Sequence, residues 1–439
     1  MRALSEKTAG LTGAVPVAGD KSVSHRALMF GAIAAGVTEI KGLLESEDVL
    51  NTAAALRKLG VEIEKSGDIL RVRGVENFTQ PDTVLDMGNS GTGARLLMGL
   101  LAPRPLRVTF TGDASLRSRP MKRITDPLTL TGAAFETTDG KLPVTLRGGS
   151  NGEAFTYTLP VASAQLKSAV LLSGLEKTAP TTVIEPVPCR DHTERMLKAF
   201  GADISVEKNP DGGNIITLRG GKRLRACPVT VPADVSSAAF PVVAALITEK
   251  SDVLIPNVGL NPLRIGILTV LKEMGADIAY ENAREVAGEP VANLRVKSSR
   301  LRGVNVPAAL APSMIDEYPV LAVAAAFADG ETVLNGLAEL KVKESDRFNA
   351  ILTGLRANGV DCAAAGADGI RIRGDGKKPC GGGLIESKLD HRIAMSFLVM
   401  GTASENPVAV DDVSSIATSF PDFISLMNKA GANIHDYRD

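Results

Sequence analysis

Apolar residues along this chain follow two alternating rhythms. One is a polar cluster followed by a run of small, almost uninterrupted apolar residues, as in DKSVSHRALMFGAIAAG, NSGTGARLLMGLLA, SAQLKSAVLLSGL, DVSSAAFPVVAALI, MIDEYPVLAVAAAFADG and DHRIAMSFLVMG. Such runs are apolar on nearly every face of a 3.6-residue period, which predicts helices buried on all sides. The second rhythm is a short β-like stretch, such as VTEIKGL, TTVIEPV, SDVLIPNV or ETVLNGL, and then an amphipathic segment that ends in Gly and runs into another strand. That ending recurs as LRKLGVEIE, LTLTGAAFE, LKAFGADIS, LKEMGADIA, LRANGVDCA and MNKAGANIH. The glycines are Gly60, Gly132, Gly201, Gly275, Gly359 and Gly431, a period of roughly 70 to 84 residues. Gly suits the left-handed position that stops a helix and turns the chain into a strand. Each unit therefore reads β-α-β-α-β-β, and six follow one another.

A period this long exceeds that of solenoid repeats, so each unit is a supersecondary block and three blocks make a domain. The expected division is 19–232 for the N-terminal domain and 1–18 plus 233–439 for the C-terminal domain, the N-terminal stretch completing the second half. Each polar cluster stands at the N-terminus of a buried helix, where free N–H groups and the dipole favour anions. Six such termini converging on one interdomain cleft is the expected active-site arrangement.

Composition narrows the classes. A chain of 439 residues with 44% hydrophobic content and no Trp reads as a soluble globular protein with a core of Leu, Val, Ile and Ala. A net charge of −1 supplies no global field for nucleic acid or an acidic membrane, so any anion site must be local. Cys189, Cys227, Cys362 and Cys380 lack CxxC or Cys/His spacing, which argues against a disulfide framework or a metal site and fits a reducing cytoplasm. No apolar stretch reads as a signal peptide or a membrane span.

The candidate chemistry sits in the clusters. In GDKSVSHRAL, Asp20 or Ser22 can cap a helix, whereas Lys21 and Arg26 are cations where the dipole disfavours them, which makes sense if an anion lies between them and the helix end. GNSGTGAR (88–95) is a glycine-rich loop suited to a phosphate or carboxylate, but it matches neither GxxxxGK[ST] nor GxGxxG. In SLRSRPMKR, Arg119 precedes Pro120, so its backbone is held extended and its guanidinium can clamp an anion through two donors. Ser163 and Gln165 offer neutral donors, Arg190 and Arg392 stand near helix starts with His192 and His391, and Asp316 is either a helix cap or a base. In VKESDRF (342–348), a helix beginning near the segment places Lys343 and Arg347 four apart on one face, with Glu344 either pairing Arg347 in a solvated first turn or kept for proton transfer. Converging without a ligand, Lys21, Arg26, Arg119, Arg190, Lys343, Arg347 and Arg392 are expected to repel by up to about 4 kcal/mol per adjacent pair at 4 Å and an effective dielectric near 20. That repulsion predicts a cleft that stays open when empty and closes on two anionic substrates.

In order, GDKSVSHRA, GNSGTGARL, SRPM, ASAQLKSA, RDHTERML, SMIDEYP, VKESDR, DHRIAMSF and ATSFPDF resemble, over nearly the whole chain, the signatures of the 5-enolpyruvylshikimate-3-phosphate (EPSP) synthases. RDHTERML and ATSFPDF are most similar to the second class of that family. The resemblance implies a two-domain inside-out α/β barrel with three βαβαββ repeats per domain. It also implies transfer of the enolpyruvyl group of phosphoenolpyruvate to 3-phosphoshikimate, in aromatic amino-acid biosynthesis, by a cytoplasmic monomer without metal or cofactor. By the same resemblance Lys21, Ser22, Arg26, Ser163, Ala164 through its backbone, Arg190 and Lys343 hold 3-phosphoshikimate, and Asp316 binds its hydroxyls. Arg119, Arg347, Arg392, Lys21 and the backbone at Gly91 hold phosphoenolpyruvate, with Gln165 between the substrates. Lys21, Asp316 and Glu344 are the candidate proton carriers, their individual steps left open. Glu339 and Thr418 stand where the commoner form has Asn and Lys. Gly91 stands where glyphosate-tolerant relatives carry Ala, which predicts at least partial inhibition by glyphosate. The sister enzymes acting on UDP-N-acetylglucosamine carry a cysteine near the place of Arg119, and no Cys precedes Cys189 here. A non-catalytic anion sensor, in turn, has no need of Asp316 and Glu344 among its cations.

Overall fold

The computed structural model of the protein describes residues 1–286 and 288–437. The chain divides into a continuous unit, Lys21–Val231, and a split unit, Met1–Asp20 with Pro232–Asp439. Each is built from three repeats of the strand and helix order that the apolar pattern predicts. The all-apolar runs are the helices at the centre: Lys21–Ile33, Gly91–Leu101 and Ala164–Ser173 in the continuous unit, and Val235–Ile247, Tyr318–Ala326 and His391–Gly401 in the split unit. Every residue of the last three helices is buried. No helix among the described residues is long and apolar enough to cross a membrane.

Around these helices each unit places three four-stranded sheets of one recurring plan. A short opening strand lies parallel to the next, which pairs antiparallel with the last strand of the repeat, while the penultimate strand takes the far edge. Leu85–Asp86, Arg107–Thr111, Lys141–Arg147 and Ala134–Thr138 follow that order. Strand alternation puts Leu142, Val144 and Leu146 inward and their neighbours toward solvent, so helices form the interior and sheets the exterior. The hairpins are entered through the recurring glycines, whose φ angles run from +77° at Gly359 to +111° at Gly431, a region in which a Cβ is strained.

Two opening strands come from distant chain segments. Thr12–Ala14 lies parallel to Asp252–Gly259 in the split unit, and Val229–Thr230 lies parallel to Val37–Lys41 in the continuous unit. Ala3–Glu6 enters the last sheet between Val408–Val410 and Asn433–Asp436. Near the points where the chain leaves and re-enters the split unit, Gly19 and Ala233 form an antiparallel bridge, flanked by Asp20 N–H to Pro232 O at 2.8 Å and Asp234 N–H to Ala18 O at 2.9 Å.

Two local departures matter. The amphipathic helix of the second repeat is broken by Pro120 into Ala114–Ser118 and Lys122–Thr129. The helix after VKE starts only at Arg347, with Asp346 as N-cap accepting from Asn349 N–H. Lys343 and Arg347 therefore do not share a helical face, because a capping aspartate delays the helix past both Lys343 and Glu344.

Small residues set how closely the buried helices approach. A Cβ on Gly99 would lie 2.5 Å from both Cα and O of Ala169, with backbone rather than a yielding side chain as the obstacle. Gly99→Ala is expected to destabilise the protein by about 1–3 kcal/mol through overpacking. Urea unfolding checks this, and an unchanged midpoint would show that the two helices separate at little cost.

Candidate active site

In the continuous unit three helix starts carry the candidate residues and are tied to one another. Lys21 opens the first helix, and its ammonium lies 2.9 Å from Asp48 Oδ2, both side chains largely buried. Arg26, one turn on, donates from Nε to Thr193 Oγ1 at 2.7 Å, from Nη2 to Ser168 Oγ at 2.8 Å and from Nη1 to Ser22 O at 2.9 Å. Ser168 belongs to the helix that Ser163 caps, its Oγ accepting from Leu166 N–H. On that helix Gln165 receives Arg95 Nη1 on Oε1 at 2.6 Å and donates from Nε2 to Thr92 Oγ1 at 2.9 Å. The arginine can only donate, so the amide orientation of Gln165 is fixed.

Arg95 and Thr92 lie on the helix Gly91–Leu101, at whose start Ser90 accepts from Gly93 N–H. A Cβ on Gly91 would stand 3.3 Å from Arg119 Nη1 and 3.4 Å from Arg95 Nη1. The glycine therefore lies directly under two guanidiniums. Arg119 has the extended backbone that Pro120 requires, φ −79° and ψ 144°. Its Nη2 donates to Asn89 Oδ1 and to Ser115 Oγ, and Asn89 in turn donates to Asp113 Oδ2, the carboxylate that caps the short helix bearing Ser115. Arg190 is half-buried just ahead of the helix His192–Ala199, whose Thr193 holds Arg26.

Beneath these starts lies a closed ionic group. Lys167 is fully buried, with Nζ 2.7 Å from Glu185 Oε1, 2.7 Å from Glu194 Oε1 and 3.0 Å from Cys189 O. Burial alone would lower the pKa of Lys167, but the surrounding anionic groups, Glu194 foremost, raise it above its ordinary value. Burial raises that of Glu194. Lys167 thus joins the start of the helix Ala164–Ser173 to Glu194, the neighbour of Thr193.

In the split unit the candidates gather around one guanidinium. Arg347 is fully buried and faces three carboxylates: Asp390 (Nε to Oδ2, 2.8 Å), Glu344 (Nη2 to Oε2, 2.6 Å) and Asp316 (Nη1 to Oδ1, 3.3 Å). Burial by itself would lower its pKa, and Asp390 first, then Glu344 and Asp316, raise it well above the ordinary value. Lys343 reaches the same Asp316 oxygen at 3.4 Å. Asp390 also caps the helix His391–Gly401 by accepting from Arg392 and Ile393 N–H, and it receives Ser345 Oγ–H. Arg392 donates from Nη1 to Asp316 O at 3.3 Å and lies 3.7 Å from Glu317 Oε1.

Two expectations change here. Asp316 is not the cap of its helix, which starts at Tyr318 with Glu317 in the N-cap position; its carboxylate serves Lys343 and Arg347 instead. The expected mutual repulsion of the cations is also corrected. Lys21, Lys343, Arg347 and Arg392 each have a carboxylate within 4 Å, while Arg26 and Arg119 are held by neutral acceptors. Alternating charge sites cancel most of the repulsion before any anion arrives. The partners that effect this, Asp48, Asn89, Glu317 and Asp390, went unread in the sequence. Asp390 and Glu317 left a signal, each as an acidic residue directly before an apolar helical run.

The backbone matches the enolpyruvyl transferase NikO of Streptomyces tendae with a TM-score of 0.76, covering 99% of this chain and 98% of that one at 20% identity, which shows that the two share a fold. A solved EPSP synthase of Acinetobacter baumannii matches with a TM-score of 0.87 at 46% identity over 99% of each chain. The model of the family EPSP synthase (3-phosphoshikimate 1-carboxyvinyltransferase) matches residues 5–427, and the chain belongs to that family. A relative from Paramagnetospirillum magneticum described as 3-phosphoshikimate 1-carboxyvinyltransferase is 57% identical over 434 residues, 98% of this chain and 97% of that protein.

Removing the cation from the ionic group around Lys167 tests how much the helix starts depend on it. Lys167→Met is expected to cost about 3–5 kcal/mol at neutral pH, because two carboxyl groups are left buried without a partner. The folded pKa of Glu194 is raised above its unfolded value, so protonation favours folding at low pH and this contribution is lost as pH rises through the folded value. Lys167 lowers the pKa of Glu194, so that pKa stands higher still in the variant, which goes on losing stability after wild type has levelled off; the deficit should therefore widen as pH rises, read as urea midpoints at a series of pH values. A deficit independent of pH would contradict the assignment.

Proposed function

We propose that the protein transfers the enolpyruvyl group of phosphoenolpyruvate to the 5-hydroxyl of 3-phosphoshikimate and releases phosphate, in aromatic amino-acid biosynthesis. Family membership supports the reaction. The observation that carries the assignment of roles is the meeting of Asp316 and Glu344 with Lys343 and Arg347, two carboxylates able to exchange protons beside two cations able to hold anions. In this reading Lys21, Ser22, Arg26, Ser163, the backbone of Ala164, Arg190 and Lys343 bind 3-phosphoshikimate. Arg119, Arg347, Arg392, Lys21 and the Gly91 backbone bind phosphoenolpyruvate, and Gln165, its amide oriented by Arg95, lies against both substrates.

The chemistry is an addition followed by an elimination. C3 of phosphoenolpyruvate takes a proton while the 5-hydroxyl oxygen bonds to C2 and gives its proton to Asp316. The tetrahedral intermediate then loses a proton from C3 and expels phosphate. Glu344 and Lys21 carry the proton transfers at C3 and at the departing oxygen. The guanidiniums that hold the substrates remain charged throughout, with Arg347 kept so by its three carboxylates. Four free cysteines, Cys189, Cys227, Cys362 and Cys380, support a reducing, cytoplasmic setting. A monomer is the state that the resemblance implies.

Phosphate release from phosphoenolpyruvate, measured with and without 3-phosphoshikimate, tests the reaction, which requires both. Glu344→Gln preserves the shape of the side chain and removes its proton chemistry. It is expected to lower kcat by about a hundred-fold or more with both KM values changed far less, and an unchanged kcat would remove Glu344 from the mechanism.

Gly91→Ala addresses the phosphoenolpyruvate side and the inhibitor glyphosate. The added methyl presses on the Arg119 guanidinium from 3.3 Å, tighter than ordinary contact. Glyphosate inhibition at fixed phosphoenolpyruvate should weaken by at least about tenfold, with a smaller rise in KM for phosphoenolpyruvate. Equal inhibition of variant and wild type would place the inhibitor away from Gly91.

A further inference from the structure

Glu317 is the least satisfied charged group in the split unit. Its side chain is 0% exposed, and neither carboxylate oxygen accepts a hydrogen bond among the described residues. It stands at the N-cap position of the helix Tyr318–Ala326 without capping it. A buried carboxylate in that condition is costly unless cations compensate it. Two do: Arg392, with Nη1 at 3.7 Å from Oε1, and Arg264, which feels its charge. Arg264 is itself buried and donates from Nη1 to Asp20 Oδ2 at 3.1 Å and from Nη2 to Asp234 Oδ1 at 3.1 Å and Ser236 Oγ at 2.7 Å. The result is a buried series of alternating charge, Arg392, Glu317, Arg264 and Asp20, that ends one residue before Lys21.

We propose that Glu317 is a positioning residue for phosphoenolpyruvate binding: it holds the Arg392 guanidinium from its buried side and so leaves the remaining donors of that arginine aimed at the substrate anion. The loose 3.7 Å pairing suits this task better than a tight bidentate bridge, because a guanidinium fully satisfied by a protein carboxylate has less to offer a ligand. Arg264 balances the charge of Glu317 and keeps that carboxylate from drawing Arg392 inward. The inference rests on the assignment of Arg392 to phosphoenolpyruvate given above.

Glu317→Gln tests it by removing the charge at nearly constant shape. KM for phosphoenolpyruvate is expected to rise about tenfold, with kcat within about threefold and KM for 3-phosphoshikimate within about twofold of wild type. In an Arg392→Ala background the same substitution should add nothing to the KM for phosphoenolpyruvate, because its effect travels through that arginine. Should Glu317→Gln fail to fold, Glu317→Asp, which keeps the charge but withdraws it by one methylene, is measured instead, with a smaller rise confined to the same KM expected. An unchanged KM for phosphoenolpyruvate, equal changes in both KM values, or full additivity with Arg392→Ala would overturn the proposal. Failure of the wild-type protein to release phosphate in the presence of both substrates would instead overturn the assignment of the reaction.

Discussion

A fully buried guanidinium is costly unless anions or hydrogen-bond acceptors compensate it, and Arg347 meets that condition in the split unit with carboxylates. Its three carboxylates come from three separate stretches, Asp316 before one helix, Glu344 before the next and Asp390 at the cap of a third. Loss of Asp390, the one carboxylate buried as fully as Arg347 itself, would cost about 3–5 kcal/mol, because it leaves interior charge poorly compensated. Asp316 and Glu344 are also groups to which chemistry is assigned, so on these two the demands of stability and of catalysis fall on the same atoms. The continuous unit solves a parallel problem differently. It buries Lys167 between two glutamates in the first turn of its helix, and it leaves Arg26 and Arg119 to neutral hydroxyl and amide acceptors.

Much of the architecture was legible because burial leaves a direct imprint on composition. A helix with no solvent face shows no amphipathic stripe, and the all-apolar runs could be read as central helices for that reason. The glycines that end the amphipathic helices were equally readable, since a positive φ admits few other residues. Candidate side chains such as Lys21 and Arg119 stood out as cations where a helix start or an X-Pro backbone gave them a reason to be held still.

What could not be read was pairing. Asp48 lies 27 residues beyond Lys21, and Asp390 lies 43 residues beyond Arg347. Neither separation follows from a local period, so a tally of cations without their partners overstated a repulsion that the carboxylates beside Lys21, Lys343, Arg347 and Arg392 offset. The start of the helix at Arg347 escaped for a local reason: three consecutive polar residues, Glu344, Ser345 and Asp346, were all plausible caps, and only the hydrogen bond from Asn349 N–H selects Asp346. The resemblance to a family supplied roles for the candidates, but the residues that hold those candidates in place come only from the coordinates.

The borrowed strands give the two units unequal histories during synthesis. The continuous unit contains all of its own sheet partners between Lys21 and Val231 and can complete itself as soon as that stretch has left the ribosome. The split unit cannot, because Ala3–Glu6 must wait for Val408–Val410 and Asn433–Asp436, made long after it, before its backbone donors and acceptors find their sheet. The closure entropy of so distant a pairing falls late, on a chain whose other half is already folded, and the early strand spends most of translation as an unpaired edge.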